Sequence, residues 1–152
     1  MQRRLGLNGR EFGVYKLRTM RIPNGGEDWS LQTVKDDDRV TFVGGLIRST
    51  YLDELPQFIN VLLGDMSIVG PRPETPAVEA NITLTNPRFR NRLAVKPGIT
   101  GLTQIFFRKP ANRQDLWRRY YYDNLYINRC SLRMDIKLSM RTILAMIRYK
   151  GT

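Results

Sequence analysis

Two prolines separated by one arginine, in the run Gly70-Pro71-Arg72-Pro73, interrupt this chain near its middle. Proline has no N–H to donate and fixes φ, so neither a helix nor a central strand can continue through the run. The 152 residues therefore turn here, and a chain of this length builds one domain around one core.

On the N-terminal side, Asn8-Gly9 is a turn signal and residues 9–20 read as a strand. Residues 21–39 read as a polar loop containing Pro23, Gly25, Gly26 and the run Asp36-Asp37-Asp38-Arg39. Val40-Thr41-Phe42-Val43 reads as a short strand broken by Gly44-Gly45, with a brief helix at 46–49. Leu52, Leu55, Ile59 and Leu62 recur at helical spacing, which predicts a helix over 52–63 ended by Gly64. Ser67-Ile68-Val69 is a short apolar stretch leading into the proline run.

Beyond the prolines, residues 75–94 read as mostly helical with an interruption near Pro87, and 99–106 as a strand after the turn Lys96-Pro97-Gly98. Helices are predicted over 112–128 and 131–149. In the last, Leu132, Ile136, Met140, Ile143, Leu144 and Ile147 form one apolar stripe flanked by Arg133, Lys137, Arg141 and Arg148. Such a basic amphipathic helix either packs on a core or lies on an anionic membrane surface. The fold class expected is α+β. It is a mostly helical single domain with a small sheet or β-hairpins near 9–20, 40–43 and 99–106, and amphipathic membrane-surface helices.

Charge and missing residue types narrow the chemistry. Lys plus Arg number 25 against 14 Asp plus Glu, a net charge of +11 that calls for anionic partners such as nucleic acid, lipid headgroups or phosphorylated substrates. There is no histidine, which removes the commonest general base and metal ligand. Cys130 is the single cysteine, so no intramolecular disulfide and no cysteine zinc site can form, and a reducing compartment fits. Chemistry must come from carboxylates, Lys, Arg, hydroxyls and an oxygen-bound metal. No run of 18 or more apolar residues exists, and the start lacks a signal-peptide core.

Three segments could carry that chemistry. Asp53-Glu54 opens the 52–63 helix, with Thr50 or Asp53 as the expected N-cap. A carboxylate there meets free backbone N–H groups that favour its ionised form. It can attack phosphorus, and an adjacent carboxylate can hold Mg²⁺. The pair can equally be no more than a helix cap. Arg72, on a stiff backbone between prolines, suits a fixed phosphate contact or is simply part of a turn. The glycines of Lys96-Pro97-Gly98-Ile99-Thr100-Gly101 allow close backbone approach to a ligand.

Taken together, the ordered segments Tyr15-Lys16-Leu17-Arg18-Thr19-Met20, Leu52-Asp53-Glu54-Leu55-Pro56-Gln57, Asp65 to Glu74 and Lys96 to Gly101 resemble the bacterial sugar transferase family. These are the monotopic polyprenyl-phosphate phosphoglycosyltransferases. Asp123 to Ile127 and Leu132 to Lys137 look like the family's closing segment, so the resemblance covers nearly the whole chain.

The resemblance implies an enzyme that transfers sugar-1-phosphate from a UDP-sugar to polyprenyl (undecaprenyl) phosphate, the opening step of polysaccharide or glycoconjugate synthesis. It implies Asp53 as nucleophile, Glu54 as ligand of Mg²⁺ and Arg72 as phosphate clamp. Lys16, Arg18, Arg48 and Gln57 are further candidates for the substrate site. The implied location is the cytoplasmic face of a bacterial inner membrane, with residues 131–149 on the membrane surface and homo-oligomerisation left open. Members begin with an apolar helix that enters and leaves one leaflet. Here only about fourteen polar residues precede Tyr15, so that helix is expected to be lacking. Tyr51 stands where small residues are frequent in the family.

Two other readings fit parts of the sequence. A nucleic-acid-binding domain accounts for the charge and for Arg118-Arg119-Tyr120-Tyr121-Tyr122, but leaves the Leu-Asp-Glu and Gly-Pro-Arg-Pro segments unexplained. No nucleic acid partner is therefore expected. A catalytically idle membrane adaptor would not need the Asp53-Glu54 pair.

Overall fold

The computed structural model describes residues 2–21, 37–106 and 113–148. Most of the polar loop expected at 21–39 lies outside them. The chain is a mostly helical α+β domain, with two sheets of two strands each among the described residues.

Asn8 (φ 56°) and Gly9 (φ 78°) both take left-handed conformations, as a tight hairpin turn requires. They fold β1 (Gln2–Leu5) back onto β2 (Glu11–Val14), with Gln2 opposite Val14 and Leu5 opposite Glu11. The strand expected over 9–20 is therefore shorter. Residues 15–19 lie outside any strand, and Met20 pairs only as a bridge with Val40.

The strand expected at 40–43 is instead the start of a helix. Thr41 Oγ1 accepts the Gly44 N–H at 2.9 Å and caps α1 (Phe42–Ser49). Gly44-Gly45 lies inside the helix because the helix presses on the backbone of Thr19. A Cβ at position 44 would stand 2.0 Å from the Thr19 carbonyl oxygen.

The helix expected over 52–63 divides at Pro56, which cannot donate back to Leu52. A 3₁₀ turn covers Leu52–Glu54 and α2 covers Gln57–Leu62. Neither Thr50 nor Asp53 caps it. The Thr50 hydroxyl donates to Ile47 O at 3.0 Å and closes α1, and Tyr51 enters the turn at φ 58°. Burial here is inverted relative to an ordinary amphipathic helix. Asp53, Gln57 and Asn60 face the protein, while Leu55, Phe58, Ile59 and Leu62 are exposed, Leu62 at 87%.

β3 (Ser67–Val69) runs parallel to β4 (Gly98–Thr100), pairing Ser67 with Gly98 and Val69 with Thr100. The connection contains α3 (Pro76–Thr85), capped by Thr75 Oγ1 accepting Val78 N–H at 3.2 Å, and a 3₁₀ segment from Pro87 to Ala94. The expected interruption near Pro87 is present. The strand expected over 99–106 ends at Thr100, and α4 (Leu102–Phe106) follows. The helical turn carries Leu102 into the cluster with Val69, Tyr126 and Leu138, and Ile105 packs against its side. A second cluster joins Phe12, Val14 and Met66 under β2.

α5 (Arg113–Arg129) and α6 (Leu132–Arg148) are the last elements of the described residues. The face of α6 that meets the core is Met134 and Leu138, with Thr142 Oγ1 2.6 Å from Thr100 Oγ1. The apolar stripe Leu132, Ile136, Met140, Ile143 and Leu144 points away and is exposed. No helix among the described residues is long and apolar enough to cross a membrane.

Candidate active site

Asn60 builds the first wall of the site. It is 1% exposed, accepts the Tyr15 N–H at 3.0 Å through Oδ1, and donates Nδ2 to Gly13 O at 2.8 Å. Two strand-edge groups at the end of β2 are thus tied to α2. Leu17 N–H then donates to Asp53 O at 3.1 Å. Lys16, between these anchors, is delivered to the 3₁₀ turn. Its Nζ lies 2.8 Å from Asp53 Oδ2 and 3.5 Å from Glu54 Oε1.

The proline run builds the opposite wall. Gly70 N–H donates to Thr100 O and Gly98 N–H to Pro71 O, at 2.8 and 2.9 Å. The contact is so close that a Cβ at Gly98 would stand 2.1 Å from Gly70 N, and one at Gly101 2.2 Å from Gly70 O. The glycines of 98–101 therefore admit the neighbouring backbone. The ligand approach expected of them from sequence is taken up by the protein itself. From this wall Arg72 Nη2 reaches Glu54 Oε1 at 3.5 Å. Burial lowers the Arg72 pKa, but the Glu54 and Glu74 charges outweigh it, and the guanidinium is held above its usual value.

Behind Arg72 lies a buried ionic cluster. Arg92 Nη2 donates to Arg72 O at 2.5 Å and pairs with Asp123 Oδ2 at 3.1 Å. Its Nη1 lies 3.7 Å from Glu79 Oε2, and its guanidinium stacks 4.7 Å over the Phe89 ring. Arg119 pairs with Glu74, and Arg4 Nη1 donates to Pro73 O at 3.2 Å. Burial alone would raise the Glu74 carboxyl, but Arg119, Arg92 and Arg4 hold it below the usual carboxylate range. Burial wins at Glu79, whose carboxyl is pushed up although Arg92 faces it.

The structure thus brings Asp53, Glu54, Lys16 and Arg72 together. Gln57 opens α2 and is buried, and no hydrogen bond among the described residues joins it to either carboxylate. Arg48 turns to Met20 Sδ at 3.4 Å and makes no ion pair among the described residues. Arg18 is exposed, two residues beyond Lys16. Asn60, Arg4, Glu74, Glu79, Arg92 and Asp123 were not legible as site-builders. Asn60 carries the one usable signal, a polar residue set among Phe58, Ile59, Val61 and Leu62.

Chemically, this is a carboxylate pair facing two fixed cations. The Asp53 side chain is 5% exposed, and its Oδ1 makes no hydrogen bond among the described residues. That leaves one oxygen of a positioned carboxylate for nucleophilic work. Among the described residues, no group of three or more acidic or cysteine side chains could hold a metal alone. Mg²⁺ commonly needs only one or two carboxylates when substrate phosphates supply the remaining oxygens. The Glu54 carboxylate fits that pattern, because its Oε2 is in no ion pair among the described residues.

Comparison with known proteins places this geometry. A family model described as bacterial sugar transferase matches residues 1–149. The chain is 40% identical over 151 residues to the UDP-glucose:undecaprenyl-phosphate glucose-1-phosphate transferase of Xanthomonas campestris pv. campestris, covering 98% of this chain and 31% of that protein. It is 39% identical over 144 residues to the UDP-N-acetylgalactosamine-undecaprenyl-phosphate N-acetylgalactosaminephosphotransferase of Aeromonas hydrophila, covering 94% and 34%. It is also 39% identical over 156 residues to the exopolysaccharide production protein PSS of Rhizobium leguminosarum bv. phaseoli, covering 99% and 78%. The chain thus spans about a third of the length of two of these relatives. With the family model matching from the first hairpin through α6, the chain belongs to the bacterial sugar transferase family.

Proposed function

We propose that this domain moves a sugar-1-phosphate from a UDP-sugar to polyprenyl phosphate in two steps through Asp53. The observation that carries the proposal is a buried carboxylate with one oxygen held by Lys16 at 2.8 Å and its neighbour Glu54 facing Arg72. The relatives named for glucose-1-phosphate and N-acetylgalactosamine phosphate transfer to undecaprenyl phosphate support the substrate class.

In the first step Asp53 Oδ1 attacks the β-phosphorus. The bond to the oxygen bridging the two phosphates breaks, UMP leaves with that electron pair, and a phosphosugar stays on the aspartate. In the second, a phosphate oxygen of the prenyl acceptor attacks the same phosphorus, yielding a prenyl diphosphate sugar and the free carboxylate. Lys16 keeps Oδ2 turned away, so the nucleophile is oriented before substrate arrives. Arg72 binds phosphate oxygens on which charge accumulates. Glu54 would hold Mg²⁺, which supplies charge neutralisation between the anions when bound.

The same reading places the domain on the cytoplasmic face of a bacterial inner membrane. The exposed apolar stripe of α6, with Arg133, Lys137 and Arg141 beside it, is suited to anionic lipid. The exposed Phe42, Val43 and Leu46 of α1, and the outward apolar face of α2 beside Asp53, offer further lipid-facing surface.

Intact mass after incubation with Mg²⁺ and a panel of UDP-sugars, without acceptor, tests the proposal. A phosphosugar adduct that is lost in Asp53→Asn is the expected result and identifies the sugar. UMP release that persists in Asp53→Asn would reject the covalent route, and no turnover with any donor in lipid would reject the transfer itself.

A further inference from the structure

We infer that Arg92, a residue too far inside to meet substrate, is the positioning residue that aims Arg72 at the Asp53–Glu54 pair. The inference rests on the reading of Arg72 as a phosphate-binding group. Its own evidence is the connectivity of the buried cluster.

Arg92 is 3% exposed, yet one of its nitrogens donates to a backbone carbonyl, that of Arg72, at 2.5 Å. The same Nη2 is 3.1 Å from Asp123 Oδ2, and Thr103 Oγ1 fixes the other Asp123 oxygen at 2.5 Å. Arg4 holds the next carbonyl, Pro73 O, from the far side. Consecutive carbonyls of the proline run are thus clamped by two guanidinium groups anchored in different elements. The line runs from α4 through Asp123 on α5 and Arg92 on the 3₁₀ segment to Arg72, and ends where Arg72 Nη2 meets Glu54.

Two arguments separate this from ordinary core stability. Buried ionic groups contribute little net stability compared with apolar residues of the same volume, so the cluster is poorly explained as a stabilising device. Prolines 71 and 73 fix their own φ on both sides of Arg72, and Pro73 confines Arg72 to extended ψ, but the tilt of its carbonyl within that extended region is left to whatever holds it. Holding that carbonyl from a rigid planar guanidinium removes the remaining freedom. A lysine retains the charge at 92 but cannot serve Arg72 O and Asp123 from one fixed plane.

The test is a double-mutant cycle on adduct formation with Arg92→Lys and Arg72→Ala, with thermal unfolding measured in parallel. Arg92→Lys is expected to lower the rate by about tenfold to a hundredfold in the wild-type background. It is expected to add nothing once Arg72 is alanine. Losses that multiply, or an Arg92→Lys variant with unchanged rate, overturn the inference. Should Arg92→Lys fail to fold, the isosteric Asp123→Asn, which loosens Arg92 without removing it, is read in the same way. A second readout needs no turnover. In nitrogen-15 arginine-labelled protein, the Arg72 Nε–H resonance, assigned by its loss in Arg72→Ala, is expected to shift or broaden in Arg92→Lys. An unchanged resonance overturns the inference even if the wild type proves inactive, whereas inactivity alone rejects the transfer reaction.

Discussion

Lys16 Nζ stands 2.8 Å from Asp53 Oδ2 although the two residues lie 37 positions apart, and it faces Glu54 Oε1 as well at 3.5 Å. One partly exposed lysine therefore serves both carboxylates. Lys16→Met keeps the length of the side chain and removes the charge. The expected outcome is a loss of adduct formation on the order of a hundredfold, comparable to deletion of one charge-stabilising donor elsewhere. Stability should also fall, by about 1–3 kcal/mol, because the Asp53 carboxylate, 5% exposed, is left without its charged partner. Single-turnover mass spectrometry beside thermal unfolding checks both halves.

Neighbouring glycines in α1 should respond with opposite sign. A Cβ at Gly44 would stand 2.0 Å from Thr19 O, whereas at Gly45 the nearest atom is Val40 Cγ1 at 4.0 Å. Gly44→Ala is expected to destabilise by about 1–3 kcal/mol or more, since backbone must move. Gly45→Ala is expected to stabilise by roughly 0.5–1 kcal/mol through helix propensity. Urea midpoints of the two variants measure the difference.

Acid stability should report on Glu74. Its carboxyl is held below the usual glutamate value of 4.5 by Arg119, Arg92 and Arg4 acting against burial. A depressed folded value means that the contribution is fully present above pH 4.5 and is lost as the pH falls through that lower value. Glu74→Gln is therefore expected to cost about 3 kcal/mol at neutral pH and distinctly less in strong acid. Denaturation at the two pH values decides it, and an equal cost at both would contradict the assignment.

The two faces of α6 should separate folding from lipid binding. Leu138 is 3% exposed, and Leu138→Ala is expected to destabilise by about 2–5 kcal/mol. Ile136 and Ile143 are exposed, so Ile136→Ser/Ile143→Ser should leave unfolding unchanged. The double variant should lower partitioning onto phosphatidylglycerol vesicles by about tenfold or more. Flotation or sedimentation with such vesicles measures it.

The sequence by itself determined several of the places where regular structure stops and which charged residues stand in ordered motifs. Asn8-Gly9, the proline run, Pro87 and the 3.6-residue periodicity of α6 act through local backbone sterics and spacing, and each appears in the structure at the expected position. Lys16, Asp53, Glu54 and Arg72 were visible because they stand in long ordered motifs. Local rules failed where tertiary contact reversed them. Phe42-Val43 is β-prone, yet it is helical because Thr41 caps and Gly44 can lie on Thr19. The apolar residues of 52–63 mark a helix, but its polar side is the buried one, since Asn60 satisfies the unpaired edge of β2. Only the tertiary structure decided which side of a helix faces inward and which charges share a buried cluster. Periodicity records that a stripe exists and not what covers it, and ion pairs such as Arg92–Asp123 join residues with no spacing rule between them.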